Sequence, residues 1–140
     1  MNIVLDTNVL VAGLLSPFQS PAEIVRMVSA GILKLCYDAR ILCEYREVLL
    51  REKFRFDKIY VEDLIDQIES AGILTAPKPL SKRLPDPDDE PFLEAAIAGK
   101  VRFLITGNLK HYPLSKQEDV KIVSPARFVE IFRAENGGVM

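Results

Sequence analysis

The sequence has no apolar run that approaches the roughly twenty residues required by a membrane-spanning helix. Its first fifteen residues also lack the basic start and the cleavage site of a secretory signal peptide. The composition of the 140 residues, 49% hydrophobic and 27% charged, is that of an ordinary globular domain. We therefore expect a cytoplasmic protein that has no membrane partner.

Cysteine and histidine are scarce, which limits the kinds of metal and catalytic site. Cys36 and Cys43 show no CxxC spacing and lie in a predicted strand and the helix after it. We expect both to be buried, reduced thiols with a structural role. The single histidine, His111, has no nearby cysteine or second histidine with which to bind zinc. We expect it at a surface loop position rather than as a catalytic base.

Several functional motifs and an excess of basic charge are also absent. The chain contains no GxGxxG, P-loop, GxSxG or HExxH motif, which removes the main support for nucleotide-binding and hydrolase folds. Its 18 basic and 20 acidic residues give a formal net charge of −2, which argues against a broadly basic nucleic-acid clamp. If metal ions neutralised several acids in one pocket, however, the remaining net basic surface could still contact phosphates.

Strand patterns and helix patterns alternate along the chain. Short apolar runs predict five strands: Asn2–Leu5, Ile32–Tyr37, Ile73–Thr75, Val101–Ile105 and Lys121–Val123. Apolar residues at three-and-four spacing predict helices: Val9–Leu15, Ala22–Ala30, Ala39–Arg51, Val61–Ala71, the segment after Glu90 and the segment after Ser124. The alternation predicts a three-layer α/β/α sandwich with a central, mainly parallel sheet.

Asp6 directly follows the first predicted strand and opens the polar triplet Asp6-Thr7-Asn8. In an open parallel sheet, ligands bind at the carboxyl ends of the strands, so a carboxylate at this point is placed for binding or catalysis. The alternative is that Asp6 or Thr7 only caps the following helix through its side-chain oxygen. The triplet alone does not decide between these interpretations.

Glu44 lies in the second turn of the helix that follows the second strand. A charged residue on a helix usually faces solvent. A residue in this turn, however, projects near the carboxyl edge of the sheet, so Glu44 is a second candidate for the same site.

The segment Lys53–Lys58, KFRFDK, alternates basic and aromatic residues. Phe54 and Phe56 pack inward at a helix end in the interpretation that we favour. In the alternative, the segment binds a single-stranded nucleic acid by charge and stacking.

Four acids, Asp86, Asp88, Asp89 and Glu90, lie within five positions before an apolar helix. One or two acids are enough to cap a helix and to interact with its dipole. Four repel one another unless they spread into water or a cation neutralises them, and hard divalent cations take oxygen ligands. We therefore favour a metal site here.

A second polar triplet, Thr106-Gly107-Asn108, follows a later strand and can face the same edge of the sheet as Asp6. Asn108 offers a carbonyl oxygen to an ion or a water but carries no charge.

Together, the segments IVLDTNVLVAGL, ILCEYREVL, DPDDEPFLEAA and FLITGNLKHYP resemble the PIN domain family. The closer resemblance is to its single-domain prokaryotic members, many of which are toxins of toxin–antitoxin pairs. The segments occur in the family order and cover the chain from end to end. The resemblance implies one PIN domain over residues 1–134, followed by a frayed tail over residues 135–140.

The resemblance also implies a metal-dependent ribonuclease and indicates its acids. Asp6 and Glu44 match the family's first two invariant acids. The third is implied within DPDDE, at Asp89, with Asp86 as the second choice and Asp88 as the third.

The family often has a fourth acid after the TG of its later strand, and here that position is Asn108. The implied chemistry is hydrolysis of single-stranded RNA by water that Mg²⁺ or Mn²⁺ activates. The implied metal ligands are Asp6, Asp89, Glu44 and Asp86. The implied supporting residues are Thr7, Asn8, Asp88, Thr106 and Asn108.

The resemblance implies an RNA substrate, a small antitoxin protein and a homodimer, to which the apolar residues of the Tyr60–Gly72 helix add weak support. An alternative of another class is a PIN-like module that binds RNA or a partner but has lost turnover. A phosphatase-like hydrolase would need Asp-x-Asp after the strand, whereas Thr7 and Asn8 follow Asp6.

Overall fold

A six-stranded sheet forms the centre of the protein. The structure is a computed structural model and describes residues 1–113 and 116–137. The strands are β1 (Asn2–Leu5), β2 (Lys34–Tyr37), β3 (Ile73–Leu74), β4 (Phe103–Ile105), β5 (Lys116–Gln117) and β6 (Val120–Val123). Their order is β3-β2-β1-β4-β6-β5, with five strands parallel and β5 antiparallel to β6. The predicted, mainly parallel sheet is therefore confirmed.

All five predicted strands are present, and β5 is an addition. The predicted helices are also present, with ends that differ by a few residues: α1 (Thr7–Leu15), α2 (Ser20–Ser29), α3 (Ala39–Leu49), α4 (Lys58–Ala71), α5 (Glu90–Ala98) and α6 (Pro125–Glu135). Helix α4 starts earlier than its apolar pattern because Asp57 caps it, accepting hydrogen bonds from the backbone of Ile59 and Tyr60. Among the helices in the described part of the chain, none has the length and apolar character to cross a membrane.

The helices cover both faces of the sheet. Ile3, Val4 and Leu5 on β1 have no exposed surface, although neighbouring side chains on a strand point to opposite faces. Helix α5 packs against β1, β2 and β4, whereas α2 packs against α1, α4 and α6. This arrangement is the predicted three-layer α/β/α sandwich.

The register of the strands brings their carboxyl ends to one edge. Leu5 of β1 pairs with Ile105 of β4, which in turn pairs with Val123 of β6. The backbone N–H of Asp6 donates to the carbonyl of Ile105, at 2.9 Å, and the N–H of Thr106 donates to that of Val123, at 3.0 Å. The residues that follow these strands are therefore neighbours at one edge of the sheet.

The prediction of two buried thiols is correct for Cys36 and wrong for Cys43. Both thiols are free, and Cys36 lies in the buried strand β2. Cys43 is exposed because it lies beside the stripe of Ile41, Leu42 and Tyr45 that α3 buries.

The KFRFDK segment is not a helix end, because α3 stops at Leu49 and a short 3₁₀ turn follows at Glu52–Phe54. Phe56 packs against the core, which confirms the favoured interpretation for that residue. Phe54 is half-buried and stacks on Phe56, with ring centroids 5.4 Å apart. Binding of a nucleic acid by this segment stays untested.

The predicted tail over residues 135–140 begins at the end of α6. Glu135 is the last residue of α6 and forms an ion pair with Arg102. Residues 138–140 of the predicted tail lie outside the described residues.

Close packing of α1 against α2 gives a prediction at Gly13. A Cβ atom there would lie 2.7 Å from Val25 Cγ2 and 2.9 Å from the carbonyl oxygen of Pro21. Alanine is normally favoured over glycine within a helix by about 1 kcal/mol, but overpacking costs about 1–3 kcal/mol. We expect Gly13→Ala to lower the free energy of unfolding in urea denaturation. A more stable variant would contradict this packing.

Candidate metal centre

Asp6 is a buried carboxylate at the carboxyl end of β1, with 5% of its surface exposed. Its Oδ2 atom accepts hydrogen bonds from Thr106 Oγ1, at 2.9 Å, and from the hydroxyl of Tyr112, at 3.3 Å. The Asp6 side chain makes no capping hydrogen bond to α1. The geometry therefore disfavours the helix-cap interpretation that the sequence left open.

Glu44 is held at the same edge by contacts with α1 and β1. Its Oε2 atom accepts a hydrogen bond from the hydroxyl of Thr7, the first residue of α1. The next residue, Tyr45, is fully buried and donates its hydroxyl proton to the carbonyl of Leu5, the last residue of β1. Tyr45 thus fixes α3 against the end of β1 and sets the position of Glu44.

The four acids of the DPDDE segment separate into different environments. A 3₁₀ turn at Pro87–Asp89 leaves Asp88 exposed and buries Asp89. Asp86 begins this turn and accepts a hydrogen bond from the backbone of Asp88. Glu90 points elsewhere, because its Oε2 atom accepts hydrogen bonds from Arg83 and from the backbone of Leu84. Only Asp86 and Asp89 therefore remain together as candidate ligands.

His111 lies at the end of a short 3₁₀ turn, Leu109–His111, where it is partly exposed as expected for a surface loop, and it lies beside these two acids. Its Nδ1 atom is 2.9 Å from Asp89 Oδ2. One ligand atom from each of Asp86, Asp89 and His111 lies within 4.8 Å of the others. The sequence pattern did not place His111 at the site, because a lone histidine gives no local signal. His111 reaches the carboxyl edge of the sheet because it follows β4 in the chain. The one available signal was its place in the FLITGNLKHYP segment after that strand.

Thr106 connects the polar triplets that follow β1 and β4. While its hydroxyl donates to Asp6, the same oxygen accepts hydrogen bonds from the Asn8 side chain, at 3.5 Å, and from the Asn108 backbone, at 3.0 Å. Asn8 Oδ1 also accepts from the backbone of Gly107, at 2.9 Å. Thr106, Asn8 and Gly107 therefore hold the two loops together around Asp6.

The pKa values of Asp6, Glu44 and Asp89, the three carboxyl groups of the acidic pocket, are all raised. Burial raises the pKa of Asp6. Burial is the main cause of the raised pKa of Glu44, and the negative charge of Asp6 adds to it. The same two causes raise the pKa of Asp89 to about 6, although the nearby His111 acts in the opposite direction. Because Asp6 affects both of the others, the three carboxylates share one electrostatic environment that favours a bound cation.

A divalent cation fits this donor set. Asp89 Oδ2 is buried and accepts no aligned hydrogen bond within the described residues, although buried carboxylate oxygens normally have a donor. The guanidinium groups of the nearest segments in sequence are paired with other acids: Arg40 with Asp38 and Glu94, and Arg83 with Glu90. The residues therefore supply several oxygen ligands with too little positive charge.

The raised pKa values predict how the stability of the metal-free protein depends on pH. Each raised carboxyl adds stability below its unfolded pKa, near 4, and this stability is lost as the pH rises through its folded pKa. With the pKa of Asp89 at about 6, we expect a higher thermal midpoint at pH 5 than at pH 7 in a chelator. Asp89→Asn should flatten this dependence, and a midpoint that rises from pH 5 to pH 7 would contradict it.

Comparison with known proteins agrees with the geometry. A family model described as "PIN domain" matches residues 2–110 of the chain. The matched region contains Asp6, Glu44, Asp89 and Asn108, and it stops one residue before His111. No curated protein matches the chain.

Proposed function

The chain belongs to the PIN domain family, and from this membership we propose that it is a ribonuclease that hydrolyses single-stranded RNA with Mg²⁺ or Mn²⁺. Members of this family are typically metal-dependent nucleases and act on RNA. The observation that carries the proposal for this chain is the group of ligand atoms from Asp86, Asp89 and His111, all within 4.8 Å of one another, close enough to Asp6 for its charge to act on Asp89. Such a group fits a divalent cation, and a bound divalent cation is what phosphodiester hydrolysis requires.

In this proposal, Asp6 and Asp89 hold the principal ion, and Glu44 holds it or orients the attacking water. When bound, Mg²⁺ or Mn²⁺ lowers the pKa of that water and offsets charge on the phosphate oxygens. The Thr106 and Tyr112 hydroxyls bond to one Asp6 oxygen, Oδ2, and so fix the orientation of the carboxylate. Thr7 fixes Glu44 in the same way.

No side-chain nucleophile is needed for this chemistry. Water attacks the phosphorus and the ester oxygen leaves, so the chain only has to position the water, the phosphate and the charges. Asp86 extends the acidic pocket, and Asp88, two residues further along the chain, is exposed. We propose supporting roles for Asp88, Asn8 and Asn108.

Cleavage of a labelled oligonucleotide tests the proposal. Tag-free protein, stripped of metal with chelator, is incubated with a fluorescent single-stranded RNA and, separately, with DNA of the same sequence. We expect RNA cleavage with Mn²⁺ or Mg²⁺ and none with excess EDTA. Cleavage that persists in EDTA would contradict the metal-dependent mechanism.

The alternative function, a module that binds RNA or a partner without turnover, gives a different result in the same assay. Such a module would retain the RNA in a mobility-shift gel but would not cleave it with any divalent metal. Calorimetric titration of Mn²⁺ into the wild type, Asn108→Asp and Asp6→Asn separates the two functions further. A ribonuclease must show metal binding that depends on Asp6, whereas an inactive module need not.

We also propose a homodimer and a toxin role with a small antitoxin protein that covers the acidic pocket. The support for a dimer is the exposed apolar surface at the start of α4, where Ile59 is 74% and Tyr60 50% exposed. Light scattering after gel filtration should give the mass of a dimer, and Ile59→Ser should shift it toward the monomer.

The toxin role requires that expression of the wild type, but not of Asp6→Asn, arrests growth.

A further inference from the structure

We propose that His111 is a metal ligand, whose Nδ1 atom joins oxygens of Asp86 and Asp89 in a mixed nitrogen and oxygen cation position. The inference rests on the proposed metal-dependent function and extends it, because it gives the pocket a ligand of a different chemical type. It also assigns Asn108 a new role, as the residue that orients the His111 ring.

The ligand atoms are close enough to share one cation. Nδ1 of His111 and Oδ2 of Asp89 are 2.9 Å apart, and the ligand atoms of Asp86, Asp89 and His111 all lie within 4.8 Å of one another. Two ligand atoms that each lie about 2.1 Å from one octahedral metal are separated by roughly 3 Å. A cation can therefore replace the direct ion pair between the imidazole and the carboxylate without a large movement of either.

Burial supports a site rather than a chance cluster on the surface. Asp89 is 8% exposed, and its Oδ2 atom is inaccessible to solvent. A carboxylate at the surface could satisfy its oxygens with water, but this oxygen cannot. The side chain of His111 is 42% exposed, so the imidazole side of the position faces solvent.

Asn108 holds the other nitrogen of the ring. The Nδ2 atom of its carboxamide lies 2.7 Å from His111 Nε2, an arrangement in which the amide donates and Nδ1 carries the ring proton beside Asp89. For metal binding the amide group turns over, so that its oxygen accepts the Nε2 proton and the Nδ1 lone pair is free for a metal. A metal-bound histidine usually donates its second N–H to such an oxygen. Asn108 is therefore a positioning residue, and the nitrogen of His111 occupies the region in which the fourth acid is missing.

A nitrogen ligand changes the metal preference of the pocket. Mg²⁺ strongly prefers oxygen ligands, whereas Mn²⁺ and Zn²⁺ also bind imidazole. Replacing His111 by alanine should therefore weaken Mn²⁺ binding by at least about tenfold and change Mg²⁺ binding much less. Asn108→Ala should weaken Mn²⁺ binding by about 10–100-fold, since it releases the ring.

The experiment uses the fact that His111 is the only histidine. In tag-free protein labelled with ¹⁵N in the imidazole ring, every histidine signal reports on His111. We expect Zn²⁺, which is diamagnetic, to shift the Nδ1 resonance strongly, Mg²⁺ to shift it little, and Asp89→Asn to abolish the Zn²⁺ shift. Asp63→Asn, which removes an exposed acid of α4, is the matched control and should behave as the wild type.

Calorimetry with Mn²⁺ on the wild type, His111→Ala and Asp6→Asn separates the two proposals. If the imidazole signals do not move with Zn²⁺ and His111→Ala binds Mn²⁺ like the wild type, His111 is not a ligand. The ribonuclease proposal would still hold if Asp6→Asn loses Mn²⁺ and RNA cleavage. If the wild type binds no divalent metal, both proposals are wrong.

Discussion

Asp6→Asn is expected to reduce metal-dependent RNA cleavage by about 100-fold or more, because losing a ligand should cost more than the 10–100-fold loss seen for residues that only orient one. The substitution keeps the size of the side chain and an oxygen that can accept from Thr106. It removes the negative charge and replaces one carboxylate oxygen by an NH₂ group. Initial rates on a fluorescent single-stranded RNA at saturating Mn²⁺ measure the effect, with Asp63→Asn as the control.

The same variant distinguishes a functional acid from a structural one. Burial raises the pKa of Asp6, so its charge is unfavourable in the metal-free fold. The thermal midpoint of Asp6→Asn in chelator should therefore equal or exceed that of the wild type. If the variant is less stable without metal, or cleaves RNA at the wild-type rate, then Asp6 has a structural role rather than the proposed one.

A large thermal shift with Mn²⁺ is the second expected result. Free Mn²⁺ at 100 times its dissociation constant adds about 2.7 kcal/mol to the free energy of unfolding. For a domain of this size, this corresponds to a rise in the thermal midpoint of roughly 8 °C. Differential scanning fluorimetry at pH 7.5, with and without Mn²⁺, measures it.

The rise in the thermal midpoint that Mn²⁺ causes should be smaller at pH 5 than at pH 7.5 at the same Mn²⁺ concentration. A metal ligand must be deprotonated, and the pKa of Asp89 is raised to about 6 by its burial and by the charge of Asp6. Protons therefore compete with Mn²⁺ at the lower pH. An equal shift at both pH values, or a full shift in Asp89→Asn, would show that Mn²⁺ binds elsewhere.

Much of the fold could be predicted from the sequence because most of its strands are short apolar runs. Ile3, Val4 and Leu5 of β1 are buried on both faces of the strand, as in a covered parallel sheet. Strand β5 could not be found in this way. Lys116 and Gln117 are polar and carry no pattern, and their extended conformation depends on pairing with β6.

The candidate site was harder to predict in detail. Local sequence placed an acid at the end of a strand, but it could not distinguish Asp88 from Asp89, which a single 3₁₀ turn separates into an exposed and a buried residue. Nothing in the sequence singles out Glu94, yet its carboxylate is buried and accepts hydrogen bonds from Arg40 and from the backbone of Leu80. These distinctions depend on contacts between distant segments.

Anomalous X-ray diffraction from crystals soaked in Mn²⁺ tests the central claim most directly, because it locates the metal without reference to activity. The account predicts a Mn²⁺ peak bounded by the carboxylates of Asp6 and Asp89, and the loss of that peak in Asp6→Asn crystals soaked in the same way. A pocket without Mn²⁺, in crystals of a wild-type protein that cleaves RNA in the presence of Mn²⁺, would contradict it.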